Sequence, residues 1–251
     1  MKFTHKLCGT ILLAALATTA VTGTVVAAEP QPDSVMGNNA GQVEFTDATY
    51  EAETDNPVPD TDEKDPQEQP NGKFLMRKVT PLDFGKAEAS ATKEITSFAK
   101  TYVPAGNPKA ESANYVRFKD DRQVDDHTYQ LTAKVTKQFE FKDGETLRKL
   151  DNATITYGHQ RLLDAAENGI QNPGESGLHH DAVVKYGEST PIFTNTGAKG
   201  RGDYFIAFGK LGDAAKPGNE AVKLTVPSGT DVRTGTYQAT VTWTLSETPL
   251  K

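Results

Sequence analysis

The 251-residue chain has one cysteine and one tryptophan. Cys8 lies in an apolar leader, so the remainder can form no disulfide, Cys-ligated metal site or thiol nucleophile. Histidine is nearly as scarce: beyond the leader only His127, His159, His179 and His180 remain. His179-His180-Asp181 invites a metal reading, but sequence neighbours point apart and no spaced partner set accompanies them. No Gly-x-Ser-x-Gly elbow, phosphate-cradling glycine loop or His-Glu-x-x-His occurs, so those catalytic chemistries have no foothold. A basic stripe is also missing, which argues against nucleic acid. No catalytic residue, metal or cofactor is expected.

Residues 1–28 read as a secretory signal peptide. Lys2 and Lys6 precede an apolar stretch from Leu7 to Ala17, and small residues lead to a cleavage site after Ala28. That apolar core is shorter than the roughly 20 residues of a spanning helix. No later run is long enough either, so no membrane insertion is expected after the leader is removed. An exported domain without disulfides fits a Gram-positive surface. The expected end, Ser246 to Lys251, carries no sorting tail, which leaves a soluble chain or one held to a surface non-covalently.

Charge is unevenly placed. Between Glu44 and Pro70, ten acidic residues stand against a single lysine, whereas the chain from Asn71 onward is close to neutral. NPVPDTDEKDPQEQP combines high charge with four prolines and few large apolar residues, so residues 51–70 read as a disordered, extended spacer. A solvated linker is the simple reading, and a cation- or partner-binding stretch the alternative. The expected division is thus leader (1–28), flexible N-terminus (29–40), a first strand (41–50), spacer (51–70) and a β domain (71–251).

The body is punctuated like an all-β domain. Gly41–Tyr50 holds Val43 and Phe45 at alternate positions and reads as a strand able to pair with the body. Further candidates are Lys73–Asp83, closed by a turn at Asp83-Phe84-Gly85, a weaker Ala99–Pro104, and Asn114–Lys119. An acidic turn carrying Asp120, Asp121, Asp125 and Asp126 follows; it lacks the glycine and distal Glu of a calcium loop and reads as surface. Beyond it come a strand from His127, a turn at Asp143-Gly144, and strands at Ala153–Tyr157, Tyr204–Phe208 and Val222–Val226. His159–Asn168 could form a short helix on the spacing of Leu162, Leu163 and Ala166. The expectation is a β-sandwich-like or partly closed barrel with at most one or two short helices. Arg201-Gly202-Asp203 matches the tripeptide of integrin ligands, but it abuts Tyr204-Phe205-Ile206, so Asp203 is expected to open a buried strand.

Two strands stand out. In TYQATVTWTLS, Tyr237, Ala239, Val241, Trp243 and Leu245 share one face and polar residues the other, the period of a half-buried strand. HTYQLTAKVTKQFEF repeats the design, and its Tyr129-Gln130-Leu131 looks like a second aromatic-x-Leu beside Trp243-Thr244-Leu245. With GQVEFT, the acidic spacer, Leu82-Asp83-Phe84-Gly85, NYVRFKDDR and VKLTVPSGT in this order, the chain resembles WxL-domain surface proteins of low-GC Gram-positive bacteria. One departure is that Tyr129 stands where the first motif usually has tryptophan.

That resemblance implies a non-catalytic cell-surface protein attached non-covalently to the cell wall, with peptidoglycan as ligand. It also implies assembly with a membrane-anchored WxL-interacting protein and other surface proteins. The alternative is a docking subunit kept at the wall only through such a partner. Trp243, Leu245, Tyr129 and Leu131 are the candidate site residues. Aromatic rings can stack on sugars, yet these four sit on the face expected to be buried, so they either contact ligand or support the surface that does.

Overall fold

The computed structural model describes residues 34–46, 73–104, 107–165 and 171–247, with side chains of the first segment described at 41–43 only. The expected signal peptide and acidic spacer lie outside the described residues.

Fourteen strands occur among the described residues. The first seven are β1 (Ser34–Thr46), β2 (Phe74–Val79), β3 (Leu82–Glu88), β4 (Ile95–Phe98), β5 (Asn114–Asp120), β6 (Tyr129–Asp143) and β7 (Thr146–Lys149). There follow β8 (Thr154–Tyr157), β9 (Gln160–Asp164), β10 (Ala182–Val184), β11 (Thr190–Asn195), β12 (Gly202–Phe208), β13 (Val222–Val226) and β14 (Gly235–Ser246). The largest sheet runs β11-β6-β14-β1-β3, with β7 on β6; two four-stranded sheets run β10-β8-β13-β4 and β2-β5-β12-β9. The sheets curl into a half-barrel and pack on one another, so the all-β expectation holds. The one helical element described is a 3-10 turn, Glu175–Gly177.

β1 pairs antiparallel with β14 from Ser34↔Ser246 to Phe45↔Gly235 and parallel with β3. It begins well before the expected start at Gly41. Along β14 the period-two reading holds, with Tyr237, Ala239, Val241, Trp243 and Leu245 all buried. On β6 the odd-numbered residues before and after the irregularities keep to one face because two one-residue register shifts against β14, both in the same direction, add to an even offset. A single bulge would turn the rest of the strand inside out, and the second restores parity. Thr136 and Gln138 lie at these irregularities. The Thr136 hydroxyl lies 2.9 Å from that of Thr242, while Gln138 Oε1 accepts the Phe139 N–H at 2.9 Å.

Three expectations are corrected. Residues 160–164 of the expected His159–Asn168 helix form strand β9; 166–168 lie outside the described residues. The free edge of β12 offers a full ladder from Tyr204↔Asp164 to Phe208↔Gln160, whereas so short a helix would pay for nucleation with little propagation. Asp83-Phe84-Gly85 does not end a strand but lies inside β3, where the register to β1 shifts by one residue. Gly85 has φ 65° and its N–H donates to Asp83 Oδ1 at 2.8 Å, so the turn chemistry is real but makes a bulge. Finally, the strand near Ala99–Pro104 is displaced to Ile95–Phe98, leaving Tyr102 with a lone bridge to Ser112.

Candidate functional site

The two aromatic-x-Leu motifs, distant in sequence, meet in neighbouring strands. Leu131 of β6 lies directly opposite Leu245 of β14, and Trp243 opposite Ala133. Trp243, Leu245, Tyr129 and Leu131 all have 0 % exposure. Trp243 stands where the three sheets converge: its ring is 5.2 Å from Tyr157 of β8 and 6.2 Å from Phe208 of β12. Tyr157 and Phe208 are themselves 4.8 Å apart, so each sheet contributes one ring to a single cluster.

Tyr129 ties the large sheet to the β2-β5-β12-β9 sheet. Phe74, Phe118 and Phe193 surround it at centroid distances of 6.0, 5.8 and 6.0 Å. Its hydroxyl donates to Gly200 O at 3.3 Å, and burial pushes the phenol well above its ordinary pKa, so it stays a neutral donor. Gly200 has φ 129°, and a Cβ there would collide with Asn195 Nδ2 and come within 3.1 Å of the Tyr129 ring. Tyr129 is thus fully buried with the Gly200 backbone close against its ring. In this conformation the four motif side chains are packing elements.

A charged cluster next to the motifs corrects the reading of Asp120 as part of a surface turn. Asp120 is fully buried. Arg122 grips it with two hydrogen bonds, Nε–Oδ1 at 2.8 Å and Nη2–Oδ2 at 2.7 Å, and His127 Nδ1 lies 2.8 Å from Oδ2. Burial alone would push the carboxyl up, but the hydrogen bonds from Arg122 and His127 outweigh it and hold Asp120 below the ordinary carboxylate range. Arg122 also reaches Glu247 at 3.0 Å, just beyond β14, and stacks on Phe74 at 4.1 Å. The signal was present in the sequence: alternation along Asn114, Val116, Phe118 and Asp120 puts all four on the inner face of β5.

Arg201-Gly202-Asp203 is engaged internally. Asp203, at the start of β12, accepts from Arg77 at 2.7 Å and from two nitrogens of Arg117 at 2.9 Å; Arg201 donates to Asp121 at 3.0 Å. His179 and His180 part as expected, toward Thr194 Oγ1 at 3.0 Å and Gln160 Oε1 at 3.3 Å.

The opposite side of Tyr157's sheet is solvent-facing. Ladder register aligns Val183, Thr156, Lys223 and Phe98 in one row across β10, β8, β13 and β4. Thr154, Thr225 and Thr96 form the next row. Beside the first row a shallow cleft of about 150 Å³ opens between Phe98, Gly158, His159, Asp181, Glu220 and Lys223. His159 and Asp181 both adopt left-handed backbone, φ 52° and 53°. Among the described residues no group of three or more His, Cys, Asp or Glu is arranged to hold a metal ion, and no helix is long and apolar enough to cross a membrane.

Comparison with known proteins gives one positive finding. A family model described as WxL domain surface cell wall-binding matches residues 33–249. No curated protein and no solved structure matches the chain. The matched span runs from the start of β1 past the end of β14 and takes in both buried motifs: the chain belongs to the WxL-domain family of cell-surface, wall-binding proteins.

Proposed function

We propose that the chain is a non-catalytic surface module, exported by a Gram-positive bacterium and attached non-covalently to the wall through peptidoglycan. The match to the wall-binding family over residues 33–249 carries this reading. In it, the leader at 1–28 is removed, the acidic segment at 51–70 is a spacer, and the β domain does the binding. Trp243, Leu245, Tyr129 and Leu131 serve from within, holding three sheets in the arrangement that presents an outer face to the wall polymer. A membrane-anchored WxL-interacting protein and other surface proteins are its proposed partners.

Sedimentation of the purified protein with purified peptidoglycan tests the reading. Retention without any other protein is expected. Retention only after a membrane- or wall-anchored partner is added would replace direct binding with docking.

A further inference from the structure

The two four-stranded sheets differ in how their outer faces are occupied. On β2-β5-β12-β9 the charges and rings satisfy one another. Arg77 and Arg117 hold Asp203, Arg117 covers Phe205 at 4.9 Å, and Lys78 lies over Tyr102 at 4.8 Å. A ligand there would have to displace existing contacts.

The outer face of β10-β8-β13-β4 is the reverse. Phe98 is 42 % exposed, and among the described residues no second ring or cation covers it. The hydroxyls of Thr96, Thr225, Thr154 and Thr156 make no hydrogen bond to any described residue, and the side chains of Asp181, Glu220 and Lys223 likewise pair with none. One bare aromatic ring, a row of three threonines with Thr156 in the row beside it, and unused carboxylates therefore share a single face.

We propose that this face, with the cleft at its Phe98 end, binds the neutral N-acetylated amino-sugar backbone of the wall polymer; this rests on the wall-binding reading and names its site. A sugar ring is apolar on its C–H face and ringed by hydroxyls. Phe98 offers the stacking surface, as aromatic side chains do for amphipathic partners. The threonines donate and accept, and the carboxylates accept from sugar hydroxyls in charge-assisted bonds. The cleft is small and open, sized to seat part of a chain whose neighbouring units lie over Thr156 and the row of Thr154, Thr225 and Thr96. Two carboxylates against one ammonium disfavour a polyanionic wall polymer. Because Tyr157 faces Trp243 while its neighbour Thr156 faces outward, the buried motif braces the strand that carries the binding row.

The test titrates the isotope-labelled protein with an N-acetylglucosamine tetramer, following backbone amide shifts. In parallel, peptidoglycan retention and melting temperature are measured for the wild type, Phe98→Ala and Thr225→Val. Shifts centred on Phe98, Thr156, Gly158 and Lys223 are expected, with retention weakened about tenfold in Phe98→Ala at a near-unchanged melting temperature. Retention of both variants at wild-type strength, with no shifts at this face, would overturn the site and leave wall binding standing. Shifts at this face without peptidoglycan retention by the wild type would support the sugar site and overturn the wall reading. Absence of both would overturn both. Shifts at this face with a teichoic acid but none with the tetramer would overturn the neutral-sugar assignment.

Discussion

Trp243 meets Tyr157 edge to face, with ring centroids 5.2 Å apart and planes at 80°. This contact joins the motif strand to a different sheet, and Tyr157 in turn neighbours the outward-facing Thr156. In this chain the Trp243 motif is thus a joint between sheets. On the proposed function, it would act on binding through the placement of β8.

Truncating Trp243 should therefore act first on stability. A buried aromatic cut to alanine leaves a cavity and costs about 3–5 kcal/mol. We expect Trp243→Ala to lower the denaturation midpoint by a corresponding amount, and peptidoglycan retention to fall together with the folded fraction. Chemical denaturation followed by circular dichroism checks the first part and sedimentation the second.

Restoring the family's usual tryptophan at the first motif should be unfavourable here. Tyr129 is enclosed by three phenylalanine rings, and the Gly200 backbone sits against its edge. A larger indole overpacks that pocket, so Tyr129→Trp should cost about 1–3 kcal/mol. Tyr129→Phe, which loses only the hydroxyl's bond to Gly200 O, should cost about 1 kcal/mol. Urea melts of the two variants give the comparison; a stabilised Tyr129→Trp would contradict the packing.

The Asp120 cluster predicts an acid dependence. Its folded carboxyl lies below the ordinary value because the hydrogen bonds from Arg122 and His127 outweigh burial. A depressed carboxylate contributes stability above its unfolded pKa of about 3.9, and the contribution is lost as pH falls through the folded value. Asp121, held down by hydrogen bonds from Arg201 and Lys119, acts in the same direction, so the variant difference is the useful quantity. Asp120→Asn should be about 3 kcal/mol less stable than wild type at pH 7, and the gap should narrow below about pH 4. Melting temperatures across that range measure it.

Asp203 should behave as a structural anchor and not as an adhesive one. It accepts three hydrogen bonds from two guanidinium groups, and bonds to charged groups contribute about 1.5–3 kcal/mol each. Asp203→Ala should lower the melting temperature while leaving integrin-dependent cell attachment at the background level of the wild type. Attachment by the wild type that the substitution abolishes would count against this assignment.

Much of this architecture was legible because strand parity is a local property. β14 and β13 show their buried faces in period-two alternation, and Gly144, with φ 61°, makes the turn expected at Asp143-Gly144. Pairing was less legible. Nothing near Leu131 says that Leu245 lies opposite, or that Thr96, Thr225 and Thr154 form one row, because register is set by long-range ladders. Residues 160–164 satisfied both a short helical spacing and a strand, and only the available edge of β12 decided between them. Asp120 follows its parity and not its charge, because Arg122 and His127, close by in sequence, bond its carboxylate and make burial tolerable. The Phe98 face gave no signal, since a lone exposed ring becomes informative only once its neighbours across the sheet are known.

The chain's single tryptophan allows the central claim, that the motif supports the binding surface from inside, to be read without interference. Acrylamide quenching of Trp243 fluorescence should be measured on the free protein and again on the protein bound to peptidoglycan fragments. A fully buried indole predicts weak quenching and a blue-shifted emission that binding leaves unchanged. Strong quenching in the free protein, suppressed when the fragments bind, would place Trp243 at the ligand and contradict the account.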